Sequence, residues 1–197
     1  MKHFAWVAVG LVLLTSLSGP AWASERQGAA SVQMAAPTAQ PPNGWVRREV
    51  PNWIYWVPNA KWVDTHNMNG IDVSSPTGDI VVSWAWAGTP LPVSLPELID
   101  YLFTPANTEG LSRITLREGS VTGAPGDQRQ TVTWTATRQH PLKGAQAVRG
   151  ATKLHVFTVG YGAYGFEVTS MMSPVQQWKR NLPTMRMIQG NILYIPS

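Results

Sequence analysis

The sequence contains no cysteine among its 197 residues. This absence excludes disulfide bonds, cysteine-based zinc sites and thiol nucleophiles. A chain of this length can bury a hydrophobic core large enough to stabilise it without such cross-links. We therefore expect the fold to be held by apolar packing and backbone hydrogen bonds.

Charged residues are also scarce, because Asp, Glu, Lys and Arg together make up 13% of the chain. The formal net charge is +4 and the calculated isoelectric point is 9.6. This balance mildly favours an acidic partner or an anionic surface. The basic residues are scattered rather than clustered, which argues against nucleic-acid binding.

The motifs of the common enzyme classes are missing as well. No G-x-S-x-G nucleophile elbow is present, and no Walker or dinucleotide-binding glycine pattern follows a predicted strand. A glycosidase would need two carboxylates that approach each other, and the sequence does not show that any two of the candidate carboxylates do so. Those candidates are Asp64, Asp72, Glu118 and Glu167. The sequence therefore leans towards a protein that is not an enzyme, and it predicts no cofactor.

One long apolar run is present, at the N-terminus, and it is shorter than the roughly 20 residues that a membrane-spanning helix needs. The basic start Met1-Lys2-His3 precedes the apolar residues 4–17, and Ala21-Trp22-Ala23 is a typical cleavage site. This pattern predicts a signal peptide of residues 1–23 and export to the periplasm or the cell exterior. No later stretch is apolar enough to span a membrane. We expect residues 24–43 to be a disordered tether and residues 44–197 a single domain.

Tryptophan is abundant, and six of the ten Trp residues lie between Trp45 and Trp86. Residues 45–46 and 53–57 have the composition of short strands. Residues 71–75 alternate between apolar and polar side chains, and a Pro-Thr-Gly-Asp turn follows them. The returning strand carries large side chains on one face, so we predict a β-hairpin. Those side chains are Ile80, Val82, Trp84 and Trp86.

Two helices are predicted from N-terminal signals and apolar spacing. Ser94 and Glu97 form a capping box in front of a helix that ends near Phe103. A second capping box is predicted at residues 173–176, before a C-terminal amphipathic helix. Pro183 lies inside that helix and is expected to kink it or cut it in two.

Further strands are predicted at residues 111–118, 128–139, 147–159 and 164–172, with a short one at 192–195. On residues 128–139, Val132, Trp134 and Ala136 alternate with a row of threonines, which is typical of a sheet with one solvated face. The threonines are Thr131, Thr133, Thr135 and Thr137. Two helices and about seven strands indicate an α+β fold.

The order of these elements resembles the PsbP-like superfamily, which includes the extrinsic PsbP proteins of photosystem II and a Ran-binding import factor. The matching segments are residues 55–62, the hairpin of residues 70–86, the helix after Ser94 and the C-terminal helix after Pro174. The resemblance implies an antiparallel sheet of six to seven strands covered by helices, in an α/β/α sandwich. It implies no reaction, because that superfamily is mostly non-catalytic.

The candidate binding residues lie in the Trp-rich stretch. Trp53, Tyr55 and Trp62 could stack on a sugar or a peptide if they were exposed, although most aromatic rings here are expected in the core. Arg47 and Arg48 are the nearest basic residues in sequence.

Residues 64–70 are interpreted as a polar loop. Asp64 and His66 could supply two ligands to a metal, with Asp72 as a third, but no known ligand spacing supports this, and a solvated histidine is the favoured interpretation. No metal site is therefore predicted.

Two functional hypotheses remain from the sequence. The first is an exported, non-catalytic domain that mediates protein association at the cell envelope. The alternative is a module that binds small ligands or carbohydrates through exposed Trp and Tyr.

Overall fold

The computed structural model describes residues 41–89, 91–140, 143–160 and 163–195. The predicted signal peptide and most of the predicted tether lie outside these ranges. In the described part of the chain there are eleven strands and two α-helices, and a single 3₁₀ turn at Val175–Gln177 leads into the second helix. The strands are β1 (Val46–Val50), β2 (Trp53–Val57), β3 (Val63–Asn67), β4 (Gly70–Ser74), β5 (Val81–Thr89), β6 (Leu111–Glu118), β7 (Thr122–Ala124), β8 (Asp127–His140), β9 (Gly144–Gly160), β10 (Ala163–Pro174) and β11 (Leu193–Tyr194). The helices are α1 (Leu95–Leu102) and α2 (Trp178–Gln189).

The strands form two antiparallel sheets. The large sheet has the order β3-β4-β5-β10-β9-β8-β6, and the short β7 pairs with β8 beside β6. The small sheet has the order β1-β2-β11, so that the end of the described chain closes a sheet begun by its first strands. The predicted hairpin is present as β4 and β5, and its turn uses Gly78 at a φ of 71°, which glycine adopts without strain.

The large sheet has two faces of different character, because side chains alternate along each strand and directly paired residues share a face. We call the face that carries Val82, Trp84 and Met171 the front face. Across the pairing register it continues on β9 and β8 as Lys153 and Thr131. The opposite side is the back face.

The front face is covered over the β4, β5 and β10 part of the sheet, which we call the covered half. The small sheet and α2 pack there against Ile71, Val82 and Trp84. Trp53 of the small sheet is fully buried, with its ring centroid 4.9 Å from that of Trp84. The β8 and β9 part of the same face carries mostly polar and charged side chains, and we call it the open half.

Helix α1 packs on the back face against β8 and β9. Its predicted capping box is present, since Ser94 Oγ accepts from Glu97 N–H and the Glu97 carboxylate accepts from Ser94 N–H. The buried side of the helix packs on apolar residues of the sheet. The helix contributes Leu95, Leu98, Ile99 and Leu102, and the sheet contributes Val132, Leu154, Val156 and Val168.

The fold is therefore α+β with a dominant antiparallel sheet, as predicted, but its cover differs from the expected α/β/α sandwich. Two short helices are too small to cover an eight-stranded sheet. A three-stranded sheet provides much of the cover on the front face, and the open half has no helix of the described residues over it. The predicted strand count of six to seven matches the main path of the large sheet, without β7 and the small sheet.

Three local predictions are corrected by the structure. Residues 63–67 form strand β3 rather than a loop, because they pair with β4. The second capping box is wrong, since β10 runs on to Pro174 and the buried Ser173 hydroxyl donates to the Pro174 carbonyl. Helix α2 runs through Pro183 without being cut. Proline has no N–H, so the carbonyl four residues earlier has no helical donor. Pro183 lies on the exposed side of the helix, where water can bind that carbonyl.

Candidate functional site

The residues predicted from the Trp-rich stretch meet where the small sheet contacts β3, at the edge of the large sheet. Trp53 and Tyr55 lie on β2, and Asp64 and His66 lie on β3. Arg48 lies opposite Tyr55 on β1. The structure thus brings the candidate aromatic residues close to the candidate polar residues of β1 and β3.

The aromatic members of this group are buried. Trp53, Tyr55 and Trp62 are exposed by 0%, 1% and 6%, and all three belong to the core beneath the small sheet. Their ring faces are occupied by neighbouring side chains, so they cannot stack on a ligand. The interpretation of these three rings as an exposed binding platform is therefore corrected: they support the strand edge from inside.

A chain of hydrogen bonds joins the small sheet to β3. The Tyr55 hydroxyl donates to Asp64 Oδ1 over 2.5 Å, and the other carboxylate oxygen of Asp64 is 2.7 Å from His66 Nδ1. Burial, together with the hydrogen bond to Asp64, raises the pKa of the Tyr55 hydroxyl well above its ordinary value. Tyr55 therefore stays a neutral donor, and the carboxylate fixes both its neighbours.

The ends of β3 are held by two further donors. Arg48 Nη2 donates to the carbonyls of Ala60 and Trp62, at 2.6 and 3.5 Å. Trp53 Nε1 donates to the Asn67 carbonyl over 2.7 Å. Strand β3 is thus fastened at its start, middle and end, and its position relative to the small sheet is fixed.

Arg47 takes a different place from Arg48. Its guanidinium is about half-exposed and pairs with the exposed carboxylate of Glu49 on the same strand, at 2.6 Å. The two arginines therefore do not form one basic site. Arg47 lies on the surface of the small sheet, and Arg48 serves the junction with β3.

The structure gives no support to a metal site at Asp64 and His66. Asp72 is paired with Thr65 and points to the face opposite Asp64, so that it cannot complete the set. Over the described ranges of the chain, no three His, Asp or Glu side chains come close enough together to hold a metal ion.

A second polar site lies on the open half and was not singled out in the sequence. It is an open groove of about 460 Å³, within the range of ligand pockets. Its floor is formed by β8, β9 and β10, and one wall is formed by the loop between β6 and β7. The lining side chains that carry polar groups are Ser120, Thr122, Arg129, Gln130, Thr131, Lys153, His155, Glu167 and Thr169.

His155 of this groove lies beside two carboxylates, Glu167 of the groove lining and Asp127, which is not part of that lining. Its Nε2 is 2.7 Å from Asp127 Oδ1, and its Nδ1 is 3.6 Å from Glu167 Oε2. The other Glu167 oxygen accepts a hydrogen bond from the indole of Trp84, which links the groove to the covered half. The hydrogen bond with His155 is the main reason that the pKa of Asp127 lies below its ordinary value. His155 is therefore a satisfied, partly exposed histidine, as predicted.

Several other polar side chains of the groove make no hydrogen bond or ion pair with the described residues. Lys153 is exposed, and no carboxylate of the described residues lies within salt-bridge distance of its ammonium group. The hydroxyls of Ser120, Thr131 and Thr169 likewise make no hydrogen bond to another described group. The alternation of residues 131–137 predicts a solvated face of the sheet. The groove lies on this face and includes Thr131, so this pattern is the sequence signal that points to it.

A third cluster joins the turn of the β4–β5 hairpin to the ends of β8 and β9. Lys143 Nζ lies 2.6 and 2.8 Å from the two carboxylate oxygens of the buried Asp79, and Arg138 donates to the Gly78 carbonyl over 2.7 Å. Burial opposes ionisation of Asp79, but the hydrogen bonds from Lys143 and Thr77 outweigh it, so the pKa of Asp79 is lowered. The cluster is a structural fastening between the two halves of the sheet.

In the described residues, no helix has the length and apolarity needed to cross a membrane. No protein-family model matches the chain, and the search of curated proteins finds no match.

Solved structures do show similarity. One is LpqN of Mycobacterium tuberculosis, described as involved in cell envelope biogenesis, with 12% identity and a TM-score of 0.45 over 75% of this chain and 85% of that chain. Another is the cyanobacterial PsbP of Synechocystis sp. PCC 6803, with 11% identity and a TM-score of 0.42 over 81% of this chain and all of that chain. A third is the lipid transfer and protein localization domain of human StarD13, with 13% identity and a TM-score of 0.29 over 69% and 90%. A PsbP protein is therefore among the similar structures. At these TM-scores, no conclusion about activity, ligand or partner follows.

Proposed function

We propose that this chain is an exported, non-catalytic domain that mediates protein association at the cell envelope, and that strand β3 is its contact edge. The observation that supports this proposal is the position of β3. It is the outermost strand of the large sheet on that side, and β4 is its one strand partner in the described residues. The backbone groups on its other side can pair with an extended segment of another protein.

The side chains around β3 suit such a contact. Val63 is 58% exposed and Met68 is 49% exposed, at the two ends of the strand. The strand contains no proline or lysine, two residue types that protect exposed sheet edges from pairing, and the carboxylate of its Asp64 is engaged by Tyr55 and His66. The fastening by Arg48, Tyr55 and Trp53 fixes the strand before binding, which lowers the entropy that association must overcome.

The predicted binding residues acquire distinct roles in this proposal. Trp53, Tyr55 and Trp62 hold the edge from the core, and Arg48 fixes its start. Asp64, His66 and Arg47 remain at the surface or partly exposed, where they would contact the partner beside the added strand.

A crosslinking experiment in the native envelope tests the contact. A photo-crosslinking amino acid in place of Val63 is expected to capture a partner at an extended segment, identified by mass spectrometry of the joined peptides. The matched control places the same group at Val175, which is also exposed but lies beside α2. Capture of the same peptides from both positions would contradict an edge contact.

Purified partner then allows the strength of the contact to be measured. Val63→Lys adds a charge to the edge and is expected to weaken the partner's binding about tenfold or more. Val175→Lys should change the dissociation constant less than about twofold, since a surface substitution away from the contact has a small effect. Equal binding by both variants would refute the role of β3.

Export is tested separately. Expression with residues 1–23 intact should give an envelope-fraction protein whose N-terminus is Ser24, read by N-terminal sequencing. An uncleaved protein in the cytosolic fraction would contradict the export part of the proposal and leave the edge contact to its own test.

A further inference from the structure

We propose that the groove on the open half binds a small hydroxylated acid of the sugar-acid class, such as a uronic acid. This inference is independent of the β3 edge, because the groove is built on β8, β9 and β10 and the edge lies beyond β4 and β5.

The acidic group is inferred from Lys153. It lies on the floor of the groove, between Thr131 and Thr169 in the pairing register. The second cation of the groove, Arg129, is engaged with Asp127 at 3.2 Å, whereas no described carboxylate pairs with Lys153. An ammonium group held among hydroxyls in a groove is a natural partner for one carboxylate.

The hydroxyl groups of the ligand are inferred from the surroundings of Lys153. Thr131 and Thr169 flank it on the front face, and Ser120 lies on the neighbouring loop. Each hydroxyl can donate one hydrogen bond and accept two, and none is engaged within the described residues. A simple anion would use Lys153 but would leave these hydroxyls to water, so the surroundings favour a polyol that carries the acid.

Glu167 adds a directional acceptor and disfavours multiply charged ligands. One oxygen of its carboxylate is fixed by the hydrogen bond from the Trp84 indole, the other lies 3.6 Å from His155 Nδ1, and the side chain lines the same groove. A fixed carboxylate accepts a hydrogen bond from a ligand hydroxyl but repels a second negative charge. We therefore expect a monoanionic sugar acid to bind better than a phosphate ester of the same size.

The groove is also rigid on its loop side. Gly119 donates its N–H to the Thr131 carbonyl over 2.8 Å, and its own carbonyl accepts from Gln130 Nε2 over 3.0 Å. A Cβ on Gly119 would lie 2.9 Å from the Thr131 carbonyl oxygen, so the loop approaches β8 as closely as glycine permits. Such a fixed wall reduces the ordering that a ligand must induce.

Isothermal titration calorimetry with glucuronate, glucose and inorganic phosphate tests the proposal on the full chain. Glucuronate is expected to bind saturably and at least about tenfold more tightly than glucose, because glucose lacks the charge that pairs with Lys153. Lys153→Gln should remove this advantage. Lys179→Gln, which removes an exposed lysine from α2, should leave glucuronate binding unchanged.

The double variant Thr131→Val and Thr169→Val tests the hydroxyl contacts. It should weaken glucuronate binding about tenfold and leave any phosphate binding unchanged, because phosphate needs only the charge of Lys153. The absence of saturable glucuronate binding, or unchanged binding after Lys153→Gln, would overturn the site. Phosphate binding as tight as glucuronate binding would overturn the sugar-acid assignment. Circular dichroism of each variant confirms that a lost titration does not reflect lost folding.

Discussion

The covered and open halves of the front face belong to one continuous antiparallel sheet, yet they differ in what packs on them. On β5 the front positions are Val82, Trp84 and Trp86, and the small sheet and α2 pack on them. On β8 the front positions are Thr131, Thr133 and Thr135, which remain partly or fully exposed. The difference shows that side-chain identity at alternate positions, rather than strand pairing, decides which part of a sheet acquires a second layer.

The boundary between the two halves runs along β9 and β10. Arg149 lies over the Trp178 ring of α2, at 5.2 Å from its centroid, and closes the covered half with a cation–π contact. Further along the sheet, Glu167 accepts the hydrogen bond of Trp84. Both contacts place a charged group next to an indole, where the apolar layer ends and the polar surface begins.

The largest effect should come from breaking the covered half. Trp53→Ala removes a fully buried ring that contacts Trp84 and Tyr194, and it should lower the free energy of unfolding by about 3–5 kcal/mol. Thr135→Ala, at an exposed position of the open half, should change it by less than about 0.5 kcal/mol. Urea denaturation followed by far-UV circular dichroism measures both, and comparable losses would erase the distinction between the halves.

The next effect concerns Asp79, which fastens the hairpin of the covered half to β8 and β9. Because its pKa is lower in the folded than in the unfolded protein, its contribution is present above about pH 4 and is lost as the pH falls through its folded pKa. Asp79→Asn should therefore destabilise the protein by about 1–3 kcal/mol at pH 7 and by less at a pH below the folded pKa of Asp79. Asp100→Asn, at an exposed position on α1, is the control. A loss that is equal at both pH values would contradict this account.

A smaller effect is expected at the junction with β3. Tyr55→Phe removes the hydrogen bond to Asp64 and should cost about 1 kcal/mol at neutral pH. Since the pKa of Tyr55 is raised in the folded state, the wild type should lose stability as the pH rises above about 10, and Tyr55→Phe should lose less. Tyr164→Phe serves as the matched control. If the free energy of unfolding falls equally with rising pH in the wild type and in Tyr55→Phe, then Tyr55 is not responsible for the alkaline loss of stability.

The smallest effect on stability should accompany the change that makes the open half resemble the covered one. Replacing Thr131, Thr133 and Thr135 together by Val should alter the free energy of unfolding by less than about 0.5 kcal/mol per site. Thr131 and Thr135 are exposed, and water can replace the surface hydrogen bond that Thr133 donates to the Arg117 carbonyl. The new apolar patch should instead promote self-association, measured by sedimentation velocity. The variant with Ser at the same three positions should show the self-association of the wild type in the same measurement. A triple Val variant that does not self-associate would mean that the patch is not accessible.

Much of the fold was readable from local signals. The turn at residues 76–79 and the alternation on either side of it predict the β4–β5 hairpin, and Ser94 with Glu97 predicts the start of α1. The threonine row on β8 predicts an exposed face. Each of these signals lies within a few residues of the feature that it specifies.

Features that depend on distant parts of the chain were not readable. Alternation assigns a residue to a face but does not say which sheet its strand joins, so the sequence predicts one sheet where the structure has two. Strand β3, with the sequence Val-Asp-Thr-His-Asn, has the polarity of a loop and is a strand because β4, Tyr55 and Arg48 hold it.

The groove escaped prediction for the same reason. Its charged residues Arg129, Lys153 and Glu167 lie on three strands, and the pairing register alone brings them together. Trp53, Tyr55 and Trp62 are buried rather than exposed, because they belong to the core beneath the small sheet, which local patterns do not reveal.

The pairing of β11 with β2 has a consequence for the order of events during synthesis. Leu193 and Tyr194 pair with Ile54 and Trp53, which were made at the other end of the domain. Contacts between such distant segments carry a large loop-closure entropy and form slowly. A nascent chain consequently lacks the strand that completes the small sheet until residues 193–194 have been synthesised. We expect the tryptophan layer to be completed in a late folding step, after the β4–β5 and β8–β9 ladders, whose partners lie close together in the sequence.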